Sequence, residues 1–380
     1  RVELEVQDRI RRGANLVFAT TGGCTEQNVA TGGTAGLYDW VVVEEAARAW
    51  PTELALPLVR GLRWTLIGDH FQLPAFDELS VQRFLQLCSQ AEDEELQLHG
   101  TRAKEYEEVF RLFGSLFDNR AQRREARPKT ARLIEPLDEL DLQFRMHPDI
   151  CRLVSRAFYR ERVDPENGEL TTYQEGWLRT DEETTAQSHL FTHPGFLKKS
   201  ALVWLDTQGV EDTNDQRAWK NEGEAQLVRQ LLDRMRPTPP LPSRQDDDDI
   251  FALLTPYHAQ REALERAGLP EWAKGRIHTV DSFQGREADT VVVSLVRSTQ
   301  RDDRRPEANI GYLVSPNRTN VLLSRARKLL IIVGRLAHFE KQAALNPDRK
   351  DILFWRSIIE EVRRQGAVVS AASAFAGGRR

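Results

Sequence analysis

The chain has 380 residues, enough for two domains that each bury a core. Its 53 basic and 58 acidic residues leave a formal net charge of -5, which excludes a histone-like or basic-tail protein but leaves room for a local basic groove. No apolar run approaches the ~18 residues of a membrane span, so no membrane partner is expected. Cys24, Cys88 and Cys151 stand too far apart for a paired zinc spacing or a disulfide framework; thiols in a reducing cytoplasm are the expectation.

In chain order, residues 1–14 read as the end of an amphipathic helix without a starting cap, the pattern expected of a continuation of something longer. Residues 15–20 read as a short apolar strand, and 31–36 as a Gly-rich connection without the Lys and spacing of a phosphate loop. The runs 40–43 and 64–67 are continuously apolar and end in acidic or Gly-Asp residues. That describes central parallel strands buried on both faces, with 46–60 as the crossover helix. Residues 77–137 read as a helical insertion, charged at 91–95 and basic at 120–129, closing a partial first domain over 1–138. A second α/β domain follows over 139–365. Its expected strands are 202–205, 251–254, 277–280, 291–295 and 329–333, with a helix over 222–235. Residues 237–249 form a Pro-rich, then Asp-rich loop; four adjacent carboxylates, Asp246 to Asp249, cannot converge on one ion from an extended chain. The tail 366–380 is expected to be flexible.

Six short motifs occur in order: Val43-Glu44-Glu45-Ala46-Ala47, Gly68-Asp69-His70-Phe71-Gln72-Leu73-Pro74, Gln143-Phe144-Arg145-Met146-His147-Pro148, Thr255-Pro256-Tyr257 with Gln260, Val280-Asp281-Ser282-Phe283-Gln284-Gly285-Arg286-Glu287, and Asn320-Val321-Leu322-Leu323-Ser324-Arg325-Ala326-Arg327. The series resembles superfamily one, class B helicases of the Upf/Sen-like group, over about residues 15–334. The resemblance implies an α/β fold of the P-loop NTPase superfamily. Two RecA-like domains with parallel sheets flanked by helices would hold ATP and Mg²⁺ in their cleft and a single strand of DNA or RNA across the top. It implies an ATP-dependent helicase or translocase moving 5′ to 3′.

The residues suit that chemistry. Paired carboxylates Glu44 and Glu45 at a strand end suit Mg²⁺ held through water by Glu44, and a base, Glu45, that orients the attacking water. The family normally has Asp at the first of these positions and Gln where this chain has Arg48. Gln72 matches the residue that touches the terminal phosphate. Arg145 and Arg325 match the two arginines that reach the γ-phosphate, planar cations able to donate twice to its oxygens. Arg318 and Arg327 are second choices, expected in structural ion pairs. Glu287 matches the residue that reaches the ribose hydroxyl, and Gly285 lets the backbone approach phosphate closely. Thr20, Thr21, Thr255, Pro256, Tyr257, Thr279 and Ser282 match positions on the nucleic-acid backbone, where short hydroxyls and amides hold phosphates without reading bases. His147 is expected to be a packed structural histidine.

None of the 23 glycines is followed by Lys, so no Gly-x-x-x-x-Gly-Lys-[Ser/Thr] loop is present. The family places that loop upstream of Ala19-Thr20-Thr21. The expectation is therefore a first domain whose front portion lies elsewhere in the same or another chain. The alternative is a non-catalytic nucleic-acid-binding or scaffold module derived from such a helicase.

Overall fold

The structure, a computed structural model, describes residues 6, 9–10, 13–25, 37–75, 78–102, 105–106, 112–118, 137–163, 170–185, 188–198, 200–208, 212–215, 218–237, 250–302 and 305–375. The Gly-rich run 31–36, the basic stretch 120–129 and the Asp-rich loop 238–249 lie outside the described residues. The chain divides into two units, Arg1–Leu137 and Asp138–Arg380.

In the first unit, β1 (Val41–Val43) pairs in parallel with β2 (Trp64–Leu66), Val42 opposite Thr65. Alternation turns Val43 into a small core with Ala46, Leu54 and Phe113. It turns Val42 and Trp40 the other way, where they stay 52% and 62% exposed. The expectation of strands buried on both faces is thus corrected: one face of β1 enters the core and the other is largely exposed. The crossover is likewise not one helix. A 3-10 turn, Ala46–Arg48, precedes a helix over Pro51–Leu58. The break falls where Pro51, pre-set for a first helical turn, follows Trp50, whose backbone N–H is taken by Glu53 at 2.9 Å. Residues 16–20 join no strand ladder among the described residues. The expected helical insertion contains helices over Glu78–Cys88, Glu94–Thr101 and Leu112–Asp118, the last lending Phe113 to the core.

The second unit begins with small pairings: β3 (Leu142–Gln143) with β6 (Arg179–Thr180) in parallel, and β4 (Glu161–Val163) with β5 (Leu170–Thr172) as a hairpin. The centre is a six-stranded sheet of β7 (Leu202–Asp206), β10 (Phe251–Thr255), β11 (Ile277–Thr279), β12 (Ala288–Ser294), β13 (Ala326–Gly334) and β14 (Val368–Ser370). Its order is β11-β10-β12-β13-β7-β14, and every pairing is parallel. A second hairpin, β8 (Thr213–Asp215) with β9 (Ala218–Lys220), leads into the Glu222–Arg234 helix. One face of the sheet presents Val203, Leu205, Ile331 and Val333 to a core shared with Val228, Leu232 and Phe251. The opposite face carries Trp204, whose ring meets Phe339 and Trp355 edge-on at 6.2 and 6.4 Å. Strands buried on both sides read as continuous apolar runs, which is why they were visible in the sequence.

The tail is corrected. Gly366, at φ 66, turns the chain out of the Lys350–Arg364 helix. Two β-branched residues, Val368 and Val369, then add an edge strand to β7, and a short helix over Ala371–Phe375 follows. Residues 376–380 lie outside the described residues. Among the described residues no helix is long and apolar enough to cross a membrane.

Candidate functional site

In the first unit, the carboxyl end of β1 passes into Glu44 and Glu45. Glu45 sits at φ 53, a left-handed backbone that non-glycine residues seldom adopt. The turn is closed by Ala46 N–H donating to the Ile67 carbonyl at 2.8 Å and Arg48 N–H to the Glu45 carbonyl at 2.9 Å. Gly68 allows this approach; a Cβ there would stand 2.8 Å from the Ala47 nitrogen. Both carboxylates are exposed, and neither side chain has a hydrogen bond or ion pair among the described residues. They line a cavity of about 950 Å³ whose wall also includes Thr20, Thr21, Arg48 and Trp50. Thr20 caps the 3-10 turn Thr21–Gly23, its Oγ1 accepting from Gly23 N–H at 3.1 Å. Gln72 does not line the cavity; its amide donates to Asp69 Oδ2 at 2.8 Å, while Asp69 Oδ1 accepts from Phe71 N–H at 2.9 Å.

In the second unit, Gln143 organises the segment that carries Arg145. Its Oε1 accepts from the N–H groups of Arg145 and Met146 at 2.8 and 2.6 Å, and its Nε2 donates to the Met146 carbonyl and Thr180 Oγ1 at 2.9 and 2.7 Å. His147 then caps the Pro148–Phe158 helix, Nδ1 accepting from Asp149 N–H at 3.2 Å. Burial holds its imidazole below the ordinary range.

Arg145 Nε donates to Glu287 Oε2, across 142 residues of sequence. Arg327 reaches Glu287 Oε1 at 3.4 Å and Asp289 Oδ1 at 2.8 Å, and Lys328 meets the other oxygen of Asp289 at 2.9 Å. Arg325 is 3% exposed, and its Nη1 donates to the Arg286 carbonyl at 3.3 Å. Arginines from two motifs thus converge on the turn that holds Gly285 and Glu287. Arg327 forms the ion pairs expected of it. Arg318 forms none among the described residues: its guanidinium lies over the Tyr312 ring, 4.0 Å from the centroid.

Gly285 has φ 75, yet an added Cβ would meet nothing within 4 Å. A left-handed turn, not crowding, calls for glycine here. The hydroxyls of Thr279 and Ser282 serve each other: Ser282 Oγ donates to the Thr279 carbonyl at 3.0 Å and accepts from Thr279 N–H at 3.0 Å. Thr255 and Pro256 are buried at the end of β10, where Thr255 Oγ1 finds no hydrogen-bond partner among the described residues. Tyr257 is half-buried and its hydroxyl accepts from Tyr312 N–H at 3.2 Å. Of the residues expected on nucleic acid, Ser282 and Thr20 are exposed, and the others are partly or wholly covered. Sequence reasoning missed Gln143, Asp69 and Asp289. An amide two residues before Arg145 and a carboxylate two residues after Glu287, on the same side of the chain, were the available signals.

It also missed a buried polar centre at the carboxyl ends of β10 and β12. Gln260 and Asn221 bond each other, Gln260 Oε1 accepting from Asn221 N–H at 2.7 Å. Glu224 Oε1 accepts from Ser294 Oγ at 2.6 Å and Val296 N–H at 2.9 Å. Burial pushes Glu224 up to about 7. Val296 has φ 72, a conformation β-branched residues seldom hold, and costs about 1–3 kcal/mol that these bonds must offset. Burial alone would raise Asp212; hydrogen bonding from Thr299 and the charges of Arg301 and Arg297 outweigh it and hold that carboxyl below its usual range.

A nucleotide triphosphatase fold of this kind matches the comparisons with known proteins. Family models described as AAA domain match residues 1–76 and 113–337. The chain belongs to this family, in its Upf/Sen-like superfamily one helicase branch. It is 23% identical to mouse "Probable helicase senataxin" over 392 aligned residues, covering 96% of this chain and 12% of that protein. It is 26% identical to "Helicase sen1" of Schizosaccharomyces pombe, covering 87% and 16%. It is 24% identical to the Saccharomyces cerevisiae "DNA polymerase alpha-associated DNA helicase A", covering 79% and 38%. The chain therefore spans well under half the length of these relatives. A solved arterivirus nonstructural protein 10 (helicase) with DNA aligns at TM-score 0.34 and 16% identity, over 82% of this chain and 43% of that one.

Proposed function

We propose that this chain carries the motor part of an ATP-dependent nucleic-acid helicase or translocase, working in a reducing compartment such as the cytoplasm and moving 5′ to 3′ on a single strand. The observation that supports this most is the gathering of Arg145, Arg325 and Arg327 around the Gly285–Glu287 turn, from motifs far apart in the chain. Glu44 and Glu45, without side-chain partners among the described residues and lining a cavity, are its acidic counterpart. The donor set fits the group the family implies. Glu44 would hold Mg²⁺ through water, an arrangement Mg²⁺ favours because it dehydrates reluctantly. Bound ATP supplies the phosphoanhydride bond to be cleaved. Glu45 orients water and takes its proton; Gln72 senses the terminal phosphate; Arg145 and Arg325 neutralise the charge that develops there. Glu287 and Gly285 take the ribose and the adjoining backbone. Thr20, Thr21, Thr255, Pro256, Tyr257, Thr279 and Ser282 hold the strand's backbone, so binding is sequence-tolerant and weakens with salt.

The test is phosphate release by the complete gene product with and without single-stranded oligonucleotide. Glu45→Gln abolishes the stimulated rate, and Arg145→Ala or Arg325→Ala lowers it by about 10³-fold or more. Equal turnover in Glu45→Gln and parent removes the enzyme. Glu44 and Arg48, standing where the family normally has Asp and Gln, favour the second reading, a non-catalytic binding module. Strand binding with no turnover in the parent would establish it.

A further inference from the structure

One buried assembly in the second unit serves none of the roles above. Asp212 and Arg297 are both almost completely inaccessible, with Arg297 Nε 3.2 Å from Asp212 Oδ2. Arg301 Nη2 stands 3.0 Å from the same oxygen. The other carboxylate oxygen accepts from Ser298 and Thr299 N–H at 3.2 and 2.8 Å. Trp219, on β9, lies under both guanidiniums, with ring-centroid distances of 3.7 Å to Arg297 and 4.4 Å to Arg301. Arg297 is thus held between the Asp212 charge and the Trp219 ring.

What Arg297 meets beyond the clamp gives the reason. Its Nη2 donates to the Ala308 carbonyl, the last turn before Gly311. Gly311 has φ 54, and a Cβ there would stand 2.5 Å from Arg297 Nη1 and 2.7 Å from the Tyr257 hydroxyl. Guanidinium, phenol and the Gly311 backbone therefore share one spot. From it, Tyr312 N–H donates to the Tyr257 hydroxyl at 3.2 Å. The Tyr312 hydroxyl donates to the Asp281 carboxylate, its oxygens at 3.2 and 3.1 Å. Asp281 opens the turn Asp281–Phe283, and Ser282 in that turn is bonded to Thr279. A continuous set of contacts thus joins Arg297 to Tyr257 on one side and to the Thr279–Ser282 turn on the other. These are the two stretches assigned above to the strand's backbone.

We propose that Arg297, held by Asp212 and Trp219, is a positioning residue that sets the two nucleic-acid-contacting stretches of the second unit relative to each other through Gly311 and Tyr312. This rests on the strand-binding reading. Arg297 itself touches no strand. A Lys keeps the charge beside Asp212 but loses the planar fork and the stack on Trp219. Removing the Tyr312 hydroxyl breaks the same line at a half-buried point with little effect on packing.

The experiment uses the complete gene product and a fluorescent single-stranded oligonucleotide of mixed sequence, well below the melting temperature of every variant. Arg297→Lys weakens binding by about tenfold and Tyr312→Phe by about threefold, and the double variant binds no worse than Arg297→Lys, as coupled residues require. Half-saturation for oligonucleotide in the turnover assay shifts equally, with the turnover limit unchanged. Amide exchange through 279–283 accelerates in both variants without any strand present. Single variants that bind like the parent, or losses that multiply in the double variant, overturn the proposal. A purely structural Arg297 would lower the melting temperature and leave affinity and exchange at 279–283 unmoved. A parent that binds no oligonucleotide refutes the strand-binding reading instead, and the exchange rates at 279–283 then decide the coupling by themselves.

Discussion

Glu45 combines an uncommon backbone with an uncompensated side chain. A left-handed non-glycine residue costs about 1–2 kcal/mol. Glycine relieves that cost but loses more freedom on folding, about 0.5–1 kcal/mol. Glu45→Gly is therefore expected to unfold in urea at the parent's midpoint or slightly above it, while turnover disappears. A loss of more than about 1 kcal/mol would mean that the carboxylate supports the fold. Two buried groups give the protein opposed responses to pH. Burial pushes His338 down to about 4 from 6.5, so its contribution to stability is whole above pH 6.5 and is lost as pH falls toward 4. Burial pushes Glu224 up to about 7 from 4.5, so the folded state keeps a proton that the unfolded chain releases. Its contribution is whole below pH 4.5 and is lost as pH rises through 7. Each is on the order of 3 kcal/mol, and between pH 4.5 and 6.5 their slopes oppose each other. Glu224→Gln keeps an oxygen for Ser294 and Val296. It is expected to exceed the parent's urea midpoint at pH 8 and match it at pH 5; an advantage independent of pH would contradict the assignment.

At the scale of elements, one amide secures the turn between β3 and the Pro148–Phe158 helix. Gln143→Leu strands two backbone donors and a carbonyl, costing about 2–3 kcal/mol. Because that turn presents Arg145, turnover falls with it. Gln143→Glu retains the two accepted bonds and falls between Leu and the parent in both thermal melting and rate; a Leu variant with full activity would show that Arg145 needs no such support. The central strands were legible in the sequence because burial on both faces leaves an unbroken apolar signature. β14 was not, since three residues after a glycine, in a segment of small side chains, look like a tail until β7 lies beside them. The same contrast holds for the site. Arg145, Arg325 and Glu287 stood out through their motifs. That Arg145 and Glu287 bind each other depends on how the turn after β3 seats against β13, where His147 N–H donates to the Arg327 carbonyl, and no local pattern encodes it. The covering of Thr255 and Pro256 and the exposure of Val42 were illegible for the same reason: each is decided by what packs on top.

Across the whole molecule, the two units differ in how they are held. The second has a large continuous core on both sides of its sheet. Among its described residues the first has one small core cluster, Val43, Ala46, Leu54 and Phe113, beside two short strands, with Trp40, Val42 and Trp64 left exposed. Residues 138–380 expressed alone are expected to unfold cooperatively, whereas 1–137 alone show rapid amide exchange throughout. Cooperative unfolding of the smaller piece would contradict this. Ending the chain at Gly366 removes β14 and leaves β7 as an open edge. Such edges recruit other chains, so the shortened protein should melt several degrees lower and aggregate on heating.

The sheet order also sets a timetable for synthesis. β7 lies between β13 and β14, both made long after it. Roughly 120 residues separate β7 from the start of β13, on the order of ten seconds at ribosomal speed. For that interval Leu202 to Leu205, among the most apolar stretches in the chain, waits without either neighbour. A nascent-chain chaperone recognising short hydrophobic segments has its natural target there, and slowing translation over the intervening residues would lengthen the exposure.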